Sequence, residues 1–428
     1  MRVKIFCMLF ILVTSLIILS MNNLYVHNED TQSLLSLDEL LFDFNELEKN
    51  FCDNHVLAIG RGSENIKEAF QIAKSNITKP MTIPEFSVFL ATFLAQFNDG
   101  HTQLSYIASG PEIPLIFKII DGHYFVLNGN GYIPDGSEII KIGNVKISSI
   151  FESYCKQISA ENIYWKMEQF EERYVEVSKV ISLGGRKTLT GGISIEYLYK
   201  GNIQSKTISQ NAFVYNQYND FDRNSILYSN DINLLIKDDV YESCGYSIND
   251  DFILFRIASC VLDKNYITTL DDIFFSLNEI PTSNLVIDLR GNTGGDSSVA
   301  DLFIERLKKY KKDTHNSVDI YIIIDHKTFS AATYFSVLIR DYQLGTIIGQ
   351  PTGGKPVSYG NLQEYCLPNS KLSYTISNKF IRRPDTSRNE KIALFPDHVT
   401  LYTIDNYISQ VDCDLIKIKE LLMKQNVN

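Results

Sequence analysis

Ser330 stands where an apolar strand pattern hands over to a helical one: D-I-Y-I-I-I, then the short loop H-K-T-F-S, then A-A-T-Y-F-S-V-L-I-R-D. A serine hydroxyl is a weak nucleophile until a neighbouring base takes its proton. At a helix start, however, unpaired amides and the helix dipole favour negative charge. That environment suits a nucleophilic serine beside an oxyanion-stabilising amide pair, and it also suits an ordinary N-cap, a common use of serine. The second chemical feature lies upstream. N-L-V-I-D-L-R-G-N-T-G-G-D, from Asn284 to Asp296, is a short apolar strand that breaks at Gly291, Gly294 and Gly295. Glycine there lets the backbone turn sharply and approach a ligand closely.

The order D-L-R-G-N-T-G-G, T-F-S-A-A, I-I-G-Q-P-T-G-G-K, F-P-D-H-V resembles the C-terminal-processing (tail-specific) and tricorn-core family of serine peptidases. Retinoid-binding relatives belong to the same clan. The resemblance runs from about Leu37 to the C-terminus and includes F-N-D-G-H-T, Phe97 to Thr102. This last segment is similar to the one that carries the catalytic histidine in some branches. The resemblance implies Ser330 as nucleophile and two alternative bases. One is His101, with Glu390 in N-E-K-I-A-L-F-P-D-H as the acid behind it. The other is Lys355, at the spacing typical of a Ser–Lys dyad. A lysine serves as base only where burial lowers its pKa.

His101 is the preferred base. Gly353 and Pro356 flank Lys355 where dyad enzymes carry phenylalanine and glycine, and Thr333 occupies their usual acidic position. The oxyanion hole would combine the amide of Ala331 with that of Gly294 or Gly295, while Asp288, Arg290 and Asn292 brace the loop. Simpler roles compete: His101 as a turn residue after Asn98-Asp99-Gly100, and Lys355 and Glu390 as solvated loop residues. Gly349 to Lys355 also fits G-x-x-x-x-G-K, but Pro356 replaces the magnesium-binding hydroxyl and loses an amide, so no nucleotide site is expected.

The elements that must position these residues follow from periodicity. Residues 37–108 read as a helical region ending in the D-G-H-T loop, with Pro84 in a first helical turn. Residues 109–208 read as short strands, with a hairpin around Asp121-Gly122. They resemble a PDZ-like β module, which binds an extended peptide as an added strand. Residues 209–240, rich in Asn, Tyr and Asp, read as an interdomain crossing. Residues 241–428 alternate strands with helices and close on a C-terminal helix, which makes the expected fold class α/β. The resemblance makes this core a crotonase-like spiral of ββα units.

Arg2 and Lys4 precede an apolar run from Ile5 to Met21, so residues 1–22 are a signal anchor or signal peptide and 23–36 a linker. The rest of the chain is then expected outside the cytoplasm, secreted or held at the membrane. A net charge of −11 and the lack of a basic stripe argue against a nucleic-acid partner. With 44% hydrophobic residues a large core is expected. Seven scattered cysteines lack C-x-x-C, and the seven histidines form no H-E-x-x-H. Buried thiols are expected, with no metal or other cofactor.

The chain therefore reads as an extracytoplasmic serine endopeptidase acting on unstructured polypeptides through an acyl-enzyme. The alternatives are a Ser330–Lys355 dyad peptidase and a non-catalytic protein that binds a peptide or lipophilic ligand on the same fold.

Overall fold

The computed structural model describes residues 34–59, 63–105, 110–214, 243–279, 284–314, 317–388 and 390–425. The N-terminal apolar run and residues 215–240 of the expected crossing lie outside them. Among the described residues no helix is long and apolar enough to cross a membrane.

The first layer is helical. Leu34–Leu35 (β1) pairs antiparallel with Met81–Thr82 (β2), gathering helices Leu37–Asn54 (α1), Ser63–Ser75 (α2) and Ile83–Leu94 (α3). Capping boxes start α1 (Ser36 with Glu39) and α3 (Thr82 with Glu85), and Pro84 sits in the first turn of α3. There its missing N–H leaves nothing unsatisfied. Leu40, Phe44, Leu47 and Phe51 form one face of α1 and bury against Phe70, Phe86 and Phe93. After α3 a single 3-10 turn ends at Asn98, whose φ of 51° reverses the chain into the His101 loop.

The second layer is an antiparallel sheet. It contains Ile116–Ile120 (β4), His123–Asn128 (β5), Glu138–Ile142 (β6), Val145–Lys146 (β7), Ile193–Tyr199 (β9) and Asn202–Ile208 (β10). The order is β10-β9-β6-β5-β4, with β7 also on β6. Glu112–Ile113 (β3) pairs separately with Val175–Glu176 (β8). The β4–β5 hairpin turns at Asp121 (φ 51°) and Gly122 (φ 81°), two left-handed residues whose twist matches the strands they join. Helices Ile147–Cys155 (α4), Ile163–Glu171 (α5) and Val177–Ser182 (α6) complete this layer around Phe117, Val126, Ile142, Ile150 and Phe170. Residues 209–214 stay attached to it, since Val214 bridges Glu112.

The third layer holds the glycine loop and Ser330. Its sheet runs Cys244–Ile248 (β11), Ile253–Ile257 (β12), Asn284–Asp288 (β13), Asp319–Ile324 (β14), Gly345–Gly349 (β15) and His398–Val399 (β18), parallel except for β11. Helices Lys264–Glu279 (α7), Ser298–Thr314 (α8) and Ser330–Asp341 (α9) bury Leu285, Ile287, Ile320 and Ile322 on one face. On the other face, Val286, Tyr321, Ile323 and Ile348 meet Leu415, Ile418 and Leu422 of Cys413–Gln425 (α11), which follows the short helix Ile404–Ile408 (α10). Both faces are covered, which is why these strands read as unbroken apolar runs. The molecule is thus a mixed α/β fold. A long hairpin, Ser358–Cys366 (β16) with Ser373–Ile381 (β17), leaves the core and lies on α1, where the Asp43 carboxylate accepts the amides of Asn369 and Ser370.

Arg290 ties α11 to the sheet. Arg290, 2% exposed, donates through its guanidinium to Asp288, Asp412 and Asp414. Removing one partner of a buried ion network leaves its charges uncompensated, which costs about 3–5 kcal/mol. Arg290→Ala should lower folding stability by that order, read as a shifted urea midpoint.

The six described cysteines are free thiols. Cys244 and Cys260 are buried, Cys52, Cys155 and Cys413 half-buried and Cys366 exposed. Burial thus holds for two of the six.

Candidate active site

Parallel β13 and β14 end side by side, and the loops after them meet. The carboxyl ends of parallel strands are where open α/β sheets present their ligand-binding loops. The Phe329 amide donates to the Asn292 carbonyl, and the Asn292 side chain donates to the Ile257 carbonyl while accepting the Gly294 amide. Thr328 caps the second loop by bonding Asp325 and the Leu289 carbonyl.

Ser330 is not an N-cap. Phe329 occupies that position, and Ser330 itself has φ 48°, left-handed for a residue with a side chain. Such a conformation costs about 1–3 kcal/mol and persists where its surroundings impose it. Gly294 is part of that surrounding: a Cβ there would stand 2.6 Å from the Ser330 Cβ and 2.9 Å from the Ala331 nitrogen. Of the two glycine amides considered for the oxyanion hole, that of Gly294 is committed to Asn292. Those of Gly295 and Ala331 have no acceptor among the described residues.

The His101 loop reaches Ser330 from the helical layer. His101 Nε2 lies 2.8 Å from Ser330 Oγ, a contact between residues 229 apart in sequence. The imidazole is 6% exposed and stacks on Phe329, which stacks in turn on Trp165. The Thr375 hydroxyl donates to the His101 carbonyl, and the Ser377 amide to Thr102 Oγ1, so β17 clamps the loop.

Asp99 lies behind the histidine. Its Oδ1 accepts the His101 amide at 3.0 Å and sits 3.8 Å from His101 Nδ1, while its Oδ2 accepts from Thr102 Oγ1 and faces His55 Nε2. His55 Nδ1 takes the Leu57 amide, so Nε2 carries the proton and donates to Asp99. Burial alone would raise the Asp99 pKa, but the bonds from His55 and Thr102 and the charge of His101 hold it at about 2. Burial lowers the pKa of His101, partly offset by the Asp99 carboxylate. A neutral imidazole beside a fixed negative charge is equipped to accept the Ser330 proton.

Neither of the other expected residues hydrogen-bonds to Ser330 Oγ. Glu390 gives one oxygen to Arg340 and the other to Arg383, each at 2.8 Å, so its carboxylate is spent on fastening its loop to α9. The Lys355 ammonium rests over the Tyr359 ring, 5.4 Å from its centroid. Gly354, next to it, packs against Thr333 and the Ser330 nitrogen.

Sequence reasoning passed over three residues. Asp99 is visible inside F-N-D-G-H-T, where the N-D-G spacing reads as a turn. His55 and Glu161 have no local signal. Glu161 arrives just before α5, where the Asn162 amide donates to the carbonyls of Thr352, Gly353 and Ile392. A Glu161 oxygen would lie 2.8 Å from a Cβ placed on Gly100. Asp99, His101 and Glu161 bring ligand-type atoms within 4.8 Å of one another. The Asp99 oxygens already accept protein donors and His101 Nε2 faces Ser330, so these atoms are engaged within the protein and we assign no metal.

Burial, then the charge of Asp99, pushes the Glu161 carboxyl up to about 8. An acid raised in this way contributes full stability below its ordinary value of 4.5, and that contribution is lost as pH rises through 8. Glu161→Gln should therefore match the wild type in urea at pH 4.5 and exceed it at pH 9.

Residues 256–400 match the family model of peptidase family S41. This is a family S41 core. The chain is accordingly a serine-type peptidase. Ser330 and Lys355 lie within the S41 match, whereas His101, Asp99 and Glu161 come from outside it. Across most of its length the chain is similar to mature CPAF complexed with lactacystin, at TM-score 0.64 and 13% identity over 91% of this chain and 98% of that one. Mature CPAF by itself gives 0.63 and 14%, over 91% and 97%. At such identities the likeness is one of fold, and it extends beyond the S41 core to the helical and β layers.

Proposed function

We propose that the chain is an extracytoplasmic serine endopeptidase that cleaves unstructured polypeptides through an acyl-enzyme on Ser330, with His101 as general base. The 2.8 Å contact between His101 Nε2 and Ser330 Oγ carries this reading. Ser330 Oγ attacks the peptide carbonyl as its proton passes to His101 Nε2. The Asp99 carboxylate supports the imidazolium, and the amides of Ala331 and Gly295 receive the oxyanion. His101 then protonates the leaving amine and takes a proton from the water that hydrolyses the ester.

The antiparallel layer of residues 109–208 acts in this reading as a PDZ-like module, and the core as a crotonase-like spiral. The exposed β10 edge, backed by β9 alone, offers unpaired backbone to an extended peptide. Residues 1–22 deliver the enzyme across the membrane and, if retained, anchor it there; Arg2 and Lys4 ahead of the apolar run support this.

Lys355 is given no role as base in this reading: its ammonium rests over the Tyr359 ring, and the group in contact with Ser330 Oγ is His101 Nε2. Lys355→Ala should lower peptidase activity less than about tenfold, a loss of binding or positioning rather than of the 10²–10⁴-fold a general base supplies.

The test of function is digestion of a reduced, alkylated protein mixture followed by mass spectrometry of the fragments. Internal cuts made by the wild type and absent with Ser330→Ala support the endopeptidase. An intact mixture, or the same cuts from both proteins, contradicts it.

A further inference from the structure

Two buried groups next to the reacting atoms are unmatched. His101 Nδ1 has no hydrogen-bond partner: Asp99 Oδ1, 3.8 Å away, is too distant and already takes the His101 amide. Neither Glu161 oxygen has a donor in bonding geometry, although both are closed off from solvent. Orphan polar atoms in a protein interior are uncommon and costly. Here one is the ring nitrogen of a base and the other a carboxyl that comes within 4.8 Å of that ring.

A small shift that closes this gap lets each group satisfy the other, in two ways that differ by the position of a proton. A Glu161 carboxylate accepts Nδ1–H, which leaves Nε2 bare toward Ser330. A protonated Glu161 donates to Nδ1, which puts the proton on Nε2. In that tautomer His101 cannot take a proton from Ser330 Oγ.

We propose that the proton on Glu161 sets the tautomer of His101, so that Glu161 acts as a positioning residue that switches the base on when it ionises. This rests on the Ser330–His101 reading above. The charged and polar groups facing the Glu161 carboxyl are Asp99, which opposes its ionisation, and Lys355 with the amides of Gly100 and Glu161, which favour it. The Phe329 ring edge and Gly100 close the remaining side. The raised pKa of about 8 puts the switch within reach of mild alkalinity. Glu161 sits at the docking point of α5 on the S41 core, so the β layer itself supplies the switching group.

The second-order rate constant for labelling of the full-length protein by a fluorophosphonate probe reads the base directly. The Ser330 Oγ–P bond forms, the P–F bond breaks, fluoride leaves and the serine proton goes to His101 Nε2. In the wild type the rate should rise with pH along a limb near 8. In Glu161→Gln, whose amide oxygen can still accept Nδ1–H, the limb should fall below 6.5, the ordinary imidazole value. The plateau at pH 9 should drop on the order of 100-fold with the loss of the charge. Glu161→Ala, checked for folding by circular dichroism, should show the same displaced limb on a lower plateau. A Glu161→Gln limb that stays near 8 overturns the inference, whether or not the plateau falls. A wild type that fails to label at any pH defeats the peptidase reading and this inference with it.

Discussion

Ser330→Ala reduces peptide hydrolysis to background, a loss on the order of 10⁶-fold, the scale on which an activated serine contributes with its base. What remains is binding and the oxyanion amides, which on their own retain about 10³–10⁴-fold over water. The variant should fold, because alanine keeps the Ser330 Cβ and loses only the hydroxyl's contact with His101. Its backbone supplies a second observable. At φ 48° alanine is as strained as serine, whereas glycine is not. Ser330→Gly should therefore be equally inactive but more stable than Ser330→Ala by about 1 kcal/mol. Urea titrations of the two inactive variants measure this without any substrate. Equal stabilities would mean that the backbone at Ser330 is unstrained.

His101→Ala should be nearly as damaging, at about 10⁴–10⁶-fold, because loss of the base from a coupled pair costs almost as much as loss of the nucleophile. Steady-state kinetics on an unfolded protein substrate would report this as a fall in kcat with little change in KM, since the imidazole is buried beneath Phe329. The pH dependence has a definite sign. His101 is a base only when neutral, and burial moves its pKa below 6.5, so neutral pH leaves it unprotonated. Acidification through that lowered value extinguishes activity whatever the state of Glu161. Asp99, held near 2, stays ionised throughout and does not produce the limb.

The parts of this site that were legible in the sequence are those carried by short-range pattern. The strand that ends at Asp288, the glycine break and the strand-to-helix position of Ser330 all lie within single contiguous stretches. The apolar runs of β13 and β14 are legible for a physical reason, because helices cover both faces of their sheet. The left-handed backbone of Ser330 is not written locally. It comes from the Gly294 contact and the Phe329–Asn292 hydrogen bond, both supplied by a loop more than thirty residues away. Glu390 stands at a suggestive place in the chain, but Arg340 and Arg383 claim both of its oxygens, and no spacing rule anticipates such competition. Glu161 is the least legible. A glutamate ahead of a helix resembles any solvated helix start until Asn162 docks that helix on the S41 core and turns the carboxyl inward. The N-terminal segment and most of the crossing at 209–240 fall outside the described residues, and their roles rest on sequence alone.

The central claim is that His101 activates Ser330 as a nucleophile, and covalent labelling tests it most directly. The protein is treated with a fluorophosphonate probe beside folded Ser330→Ala, His101→Ala and Lys355→Ala variants, and the adduct is mapped by peptide mass spectrometry. One adduct, on Ser330, is expected in the wild type and Lys355→Ala, and none in the other two. Labelling that survives His101→Ala but disappears with Lys355→Ala would contradict it and assign the base to the lysine. A folded wild type that takes up no probe would contradict the activated serine itself.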